Sequence, residues 1–323
     1  MRAQSSNRGV ALLTAIILVA LTAIIASAIV FNTAMMARRS SSAFAFDQAA
    51  QMAGGTEALA ASALDLKYRQ AANEDTEEDP WAQPFGPVEV SPDVRLQAQV
   101  LDLSGRFNLN SLVDAKGVKN PMAFEIFQRL LLNLQMDSKW ADMIVDWIDT
   151  DSLASPQGAE DATYTSETPP YRTPNIAITS VSELLALKGF GANNYATLKD
   201  YVAALPRPGP VNSTKINLCT ASGPLLNALF NSSQFTQASG ALLLASQRKG
   251  HCFPKPNDLQ FQNPKEFADI DAQIGIGTTS DYFRLTSLIS IGTSQFALYS
   301  FLQRTSTQPG NPQSVVLSRH FTE

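Results

Sequence analysis

Arg8-Gly9-Val10-Ala11-Leu12-Leu13-Thr14-Ala15-Ile16-Ile17 opens an uncharged run that extends from Gly9 to Ala37. From Val10 to Phe31 it is almost wholly Ala, Leu, Ile and Val, and a helix of that length crosses the roughly 30 Å hydrocarbon core of a bilayer. An ordinary secretory signal has an apolar stretch of only about 7 to 15 residues before an A-x-A site. Ala26-Ser27-Ala28 offers such a site, with a mature start near Ile29, but the stretch before it is too long. A membrane helix is the expectation. Arg2, Arg8 and the amino terminus oppose Arg38 and Arg39, so the positive-inside rule leans toward a cytoplasmic N-terminus. Beyond Arg39 the chain carries 20 Lys+Arg against 29 Asp+Glu, a net charge of −9. An acidic body excludes a nucleic-acid binder driven by bulk charge. A hydrophobic content of 45% with only 16% charged residues excludes disorder as a description of the whole.

The apolar spacing continues past Arg39 through Phe46, Ala49, Ala50, Ala53, Ala60 and Leu64, which predicts one helix running from the membrane to about residue 66. Gly54 and Gly55 are expected to weaken or bend it. Glu74 to Pro92 reads as a loop pinned by Trp81 and Phe85, and Val88 to Leu103 as one or two strands ending at Ser104-Gly105. Helical patterns follow in Met122 to Leu134, Trp140 to Trp147, Val181 to Leu187, Asn194 to Leu205, Ala221 to Phe230 and Gln237 to Gln247. Strand patterns return in Tyr282 to Ile291, Gln295 to Gln303 and Ser314 to Phe321. That order predicts an α+β domain, 67–106 with 273–323, whose sheet is interrupted by an inserted all-α domain at about 107–272.

The polar leader Met1 to Arg8, Gly9, and the apolar run behind them resemble the class III signal of type IV pilins and pseudopilins. The resemblance implies cleavage by a prepilin peptidase between Gly9 and Val10, N-methylation of Val10, and retention of the helix as anchor and assembly stem. It also implies a pilin-like fold, a long N-terminal transmembrane helix packed on an antiparallel sheet. Thr14 stands where most pilins carry Glu. A carboxylate inside the bilayer costs about 2.5 to 3.5 kcal/mol unless a neighbouring subunit neutralises it. The Thr14 hydroxyl can instead bond a carbonyl one turn back, as suits a first subunit at a fibre tip. The plainer reading is a tolerated small polar residue.

Gly105-Arg106-Phe107-Asn108-Leu109-Asn110, Asp146-Trp147-Ile148-Asp149, Gly158-Ala159-Glu160-Asp161 and Lys215-Ile216-Asn217-Leu218, in this order, resemble the K-type minor pseudopilins (GspK) of the type II secretion system. The resemblance covers essentially the whole chain. It implies a non-enzymatic component at the pseudopilus tip, anchored singly in the inner membrane of a Gram-negative bacterium with its body in the periplasm. The implied partners are the I- and J-type minor pseudopilins, then the H and major G types, the prepilin peptidase, the inner-membrane assembly platform and secreted substrates. A surface type IV pilus would share the leader and stem, and stands as the alternative.

Asp149, Asp151, Glu160 and Asp161 place four carboxylates in a short loop after an apolar helix. A hard cation with oxygen ligands would relieve their repulsion, and calcium tolerates irregular loop geometry; a solvated acidic loop is the competing reading. GspK relatives bind calcium here, which favours the metal. Asp146 is a weaker candidate. Ser182 to Gly191 resembles a helix-hairpin-helix unit, but Lys188 and Lys199 give thin basic support for DNA, so tight helix packing is favoured over a DNA-uptake receptor. Cys219 and Cys252, the only cysteines, are expected to pair in an oxidising compartment. A metal site of Cys219, His251 and Cys252 lacks a fourth ligand. There is no G-x-S-x-G, no H-E-x-x-H and no phosphate loop, and His320 reads as an ordinary strand residue, so no enzyme is expected.

Overall fold

The computed structural model describes residues 8–70, 74–207, 214–231, 235, 238–260, 264–308 and 311–321. The first seven residues of the expected leader, and Gln237 at the expected start of a helix, lie outside them. In chain order the elements are α1 (Arg8–Gln70), β1 (Phe85–Ser91), β2 (Val94–Asp102), β3 (Phe107–Asn108), α2 (Pro121–Asn133), α3 (Lys139–Ile148), α4 (Asp161–Tyr164), α5 (Gly191–Leu198), β4 (Val202–Ala203), β5 (Ile216–Asn217), α6 (Gly223–Leu229), α7 (Ala238–Gln247), α8 (Pro256–Gln260), α9 (Pro264–Gln273), β6 (Ile276–Gly277), β7 (Tyr282–Ile291), β8 (Ser294–Gln308) and β9 (Asn311–His320).

The helix α1 is continuous through Gly54 and Gly55, with no break there. Its first half, from Val10 to Phe31, exposes every large apolar side chain. The second half lies on a five-stranded antiparallel sheet ordered β1-β2-β7-β8-β9. Alternation along β2 buries Val94, Leu96, Ala98 and Val100 on the helix side. Ala49 and Ala53 pack there with Leu96, Ile289 and Leu298, while Ala60 and Leu64 pack with Val100, Phe283, Leu285 and Leu302. Alanines along this stripe let the helix axis approach the sheet closely. Burial of the apolar face, and not helix propensity alone, holds such a segment in place.

The pairing of β2 with β7 joins strands far apart in sequence. Their register ends with Asp102 opposite Phe283, so the chain leaves the sheet and returns to it at adjacent positions. One backbone hydrogen bond and the Ser104 hydroxyl close that neck: Leu103 N donates to Tyr282 O at 2.9 Å, and the hydroxyl accepts from Asp281 N at 3.1 Å. Among the described residues every α-helix after α1 falls between these strands. They share one core built around Phe107, Ile126, Phe127, Leu130, Trp140, Ile144, Tyr164, Phe190 and Leu225. Along α1 the contacts move from Ala49 near the apolar stem to Leu64 at the neck side, so the helical block sits at the end of the sheet farthest from that stem.

Several details differ from the sequence reading. Phe85 belongs to a strand and is exposed, so of the two aromatics only Trp81 pins the acidic loop, by an edge-on contact with Phe283 at 5.2 Å. The helix expected over Asn194 to Leu205 stops at Leu198, because Val202 and Ala203 pair in parallel with Phe107 and Asn108. Val181–Ala186 is a 3₁₀ helix. The helices α8 and α9 have too few apolar positions to show a clear stripe in sequence; only Leu259 and Ile270 in them are fully buried.

Candidate metal centre

The helix α3 is buried along nearly its whole length and ends at Asp149, whose amide donates to Val145 O at 2.8 Å. The loop that follows folds back so that Glu160 caps the short helix α4. Asp146, wholly buried on α3, fixes this return by accepting Ser155 N at 2.9 Å. Gly158 passes directly against that carboxylate, where a Cβ would collide with it. Both features bring one oxygen each of Asp149, Asp151 and Glu160 within 4.8 Å of one another.

Two of these oxygens are conspicuous. Asp149 Oδ1 and Glu160 Oε1 are buried with no hydrogen-bond partner, although buried carboxylate oxygens ordinarily have one. The other Glu160 oxygen accepts from the Thr173 hydroxyl at 3.2 Å. Burial first, then the charges of Asp151, Asp146 and Glu160, pushes the Asp149 carboxyl up to about 7. Burial likewise raises Glu160, with Asp146 and Asp151 adding to it. Three repelling carboxylates, two of them with an unsatisfied buried oxygen, form an all-oxygen donor set that fits a hard cation.

Of the four carboxylates expected as ligands, the structure unites Asp149, Asp151 and Glu160. Asp161 is not one of the three; it accepts Thr173 N and the Thr173 hydroxyl, each at 3.0 Å, and faces Arg172 at 3.4 Å. Asp146 stays behind the cluster, satisfied by Ser155.

The remaining motifs resolve as staples. Asn110 accepts Ile178 N at 2.8 Å and donates to Ile178 O and Leu205 O at 2.8 and 2.7 Å. Asn108 accepts Leu205 N at 3.1 Å, and Asn217 donates to Asp75 O and to the Ser280 hydroxyl at 3.0 and 2.7 Å. Each asparagine is buried and binds segments far apart in the chain. Their roles were not read from the sequence, where the only signal was an Asn flanked by apolar residues in two of the quoted motifs.

Cys219 and Cys252 are joined in a disulfide. His251 is exposed and its Nδ1 lies 3.0 Å from Lys249 O, so the alternative Cys-His-Cys metal site is not assembled. In the hairpin Ser182 to Gly191, Leu184, Leu187 and Phe190 are buried in the helical core and Lys188 is paired with Glu167 at 2.6 Å. Positive φ at Gly189 and Gly191 makes the turn. Its one lysine in the turn is neutralised, which favours the packing role over DNA contact. His320 closes β9 as a strand residue.

The family model described as "Type II secretion system (T2SS), protein K" matches residues 105–207. The chain is 34% identical over 318 residues to the type II secretion system protein K of Pseudomonas aeruginosa, spanning 92% of this chain and 89% of that protein. It is 30% identical over 314 residues to the protein K of Pectobacterium carotovorum, covering 93% of each. The fold matches a chain in the crystal structure of the GspK-GspI-GspJ complex from enterotoxigenic Escherichia coli, with a TM-score of 0.72 and 25% identity over 88% of this chain and 99% of that one. Stem, sheet, interrupting helical block and relatives agree, and this chain belongs to the type II secretion system protein K family, the GspK minor pseudopilins.

Proposed function

We propose that this minor pseudopilin stands at the tip of the pseudopilus, where it helps to initiate the fibre and caps it. The single observation that carries this is the placement of the helical block. It leaves the sheet at the neck between Asp102 and Phe283, beyond Leu64 and away from the apolar stem. A subunit added above would meet that block. The stem agrees: the Thr14 hydroxyl donates to Ala11 O at 3.0 Å, so its polar group is satisfied within its own helix. The relative of similar fold was solved with GspI and GspJ, and the corresponding I and J types are the partners proposed here, followed by the H and major G types.

The chain is anchored once by α1 in the inner membrane, N-terminus cytoplasmic and body periplasmic, after prepilin peptidase cuts between Gly9 and Val10. The disulfide suits an oxidising compartment. Work in this setting is mechanical: apolar stem contacts and neighbouring subunits supply the binding energy of assembly, for export of folded proteins by the assembly platform. Asp149, Asp151 and Glu160 hold calcium, which supplies the positive charge that the buried oxygens of Asp149 and Glu160 lack and orders the loop. Intact mass and N-terminal peptide mapping of protein extracted from membranes test the placement in the fibre. A start at N-methylated Val10 supports it, whereas a start at Met1 or near Ile29 removes the stem from assembly and ends it.

A further inference from the structure

On the face of the sheet turned away from α1, the rows Leu101-Arg284-Phe301-Ser318 and Thr286-Tyr299-His320 run across the strands. Where these rows meet the helical block there is an open cavity of about 290 Å³. Three cationic side chains line it, Arg106 and Lys199 from the block and Arg284 from the sheet, with His320 beside them. Its one acidic lining residue is Asp200, 3.9 Å from Arg106. This concentration of positive charge stands out on a body whose net charge is −9. Tyr299 and Phe301 are half-buried in the same wall, and Phe301 is held by stacking on Tyr282 at 5.6 Å.

We infer that this corner is a docking site for an acidic segment of a partner protein, which inserts one or two carboxylate side chains. Guanidinium and ammonium groups match carboxylates, and the aromatic rings accept the methylene stems of Asp or Glu carried on a peptide. The volume is at the lower end of ligand cavities, which are roughly 300 to 1,000 Å³, so side chains enter and the backbone stays outside. A long polyanion is disfavoured because the acidic body repels it beyond the corner. The inference goes beyond the fibre reading and does not depend on it, since the corner exists in the isolated chain.

The test uses the full chain in detergent with fluorescein-labelled hexaglutamate, followed by fluorescence anisotropy at low and at physiological salt, with hexalysine and a single-stranded oligonucleotide for comparison. Saturable, salt-sensitive binding of hexaglutamate is expected, weakened about tenfold or more by Lys199→Glu and by Arg284→Gln. Because Arg284 is half-buried, thermal melting accompanies each variant, and a photo-cross-linking hexaglutamate provides a second readout on the unmodified chain. Cross-links should fall within 103–106, 179–204 or 284–320. Absence of binding at low salt, cross-links elsewhere, binding unchanged in folded Lys199→Glu, or a preference for the oligonucleotide would each overturn the proposal.

Discussion

Gly158 shows how one residue governs the acidic loop, since any Cβ there would displace the Asp146 carboxylate that anchors Ser155. Gly158→Ala is expected to lower the melting temperature and weaken calcium binding together. Glu160→Gln should retain the fold while abolishing the rise in melting temperature on adding calcium. In wild type the accompanying gain in stability should reach about 2.7 kcal/mol at a calcium concentration of 100 times Kd. Metal ligands must be deprotonated, and Asp149 without metal holds its proton up to about 7. Calcium affinity, followed by titration calorimetry, should therefore fall as pH is lowered through about 7. Asp102 behaves differently, being buried at the neck with Ser104 N, Gly105 N and the Thr220 hydroxyl as donors. Burial raises its pKa from 3.8 to about 6. The folded state thus binds this proton more tightly than the unfolded chain does, so the stabilisation is full below about 4 and lost as pH rises to about 6. Asp102→Asn should accordingly gain stability relative to wild type across that window, as measured by denaturant unfolding, and the gap should stay constant above it.

At the scale of elements, α1 performs two tasks with one sequence pattern. Its exposed first half is free to pack in membrane or fibre, while the alanine stripe and Leu64 fix the second half to the sheet. Leu64 is fully buried, and Leu64→Ala should cost about 2 to 5 kcal/mol in unfolding free energy. Thr14→Glu tests the stem. If the subunit initiates the fibre at its tip, the added acid has no neighbour to neutralise it, at about 2.5 to 3.5 kcal/mol, and secretion and fibre number should drop. Unchanged secretion would count against the tip position.

In the whole molecule, the acidic segment after α1 acts as a strap between the pilin-like part and the helical block. Glu74 pairs with Lys255 at 2.7 Å and accepts Cys252 N, Glu78 accepts Gly250 N, and Asp79 pairs with Lys67 at 2.5 Å. Asp75 accepts from Arg304 and from Ser280 N, and its amide donates to Thr278 O at 2.8 Å. The disulfide ties the same Cys252 hairpin to Cys219. Both members of the Asp75–Arg304 pair are almost fully buried, so Arg304→Met should cost about 3 to 5 kcal/mol by leaving Asp75 uncompensated. Unfolding monitored by calorimetry would show it as a lower single transition or as separate melting of the two parts.

The sequence by itself determined the apolar stem helix, the strand-helix-strand order and the neighbourhood of the acidic loop, because these rest on local signals: an uncharged apolar run, periodicity, and clustered carboxylates. Pairing of the two cysteines was legible for a similar reason, since the chain has no others. Only the tertiary structure decided which carboxylates converge. Asp161 follows Glu160 directly, yet it is taken up by Thr173 and Arg172 and is not one of the three that converge. Nor was the strap legible, since Glu74 to Asp79 reads only as part of a loop until Arg304, Lys255 and the 250–252 turn arrive from more than 170 positions away. Periodicity reports which face a residue occupies on its own element, whereas the partner of a charge is set by long-range packing.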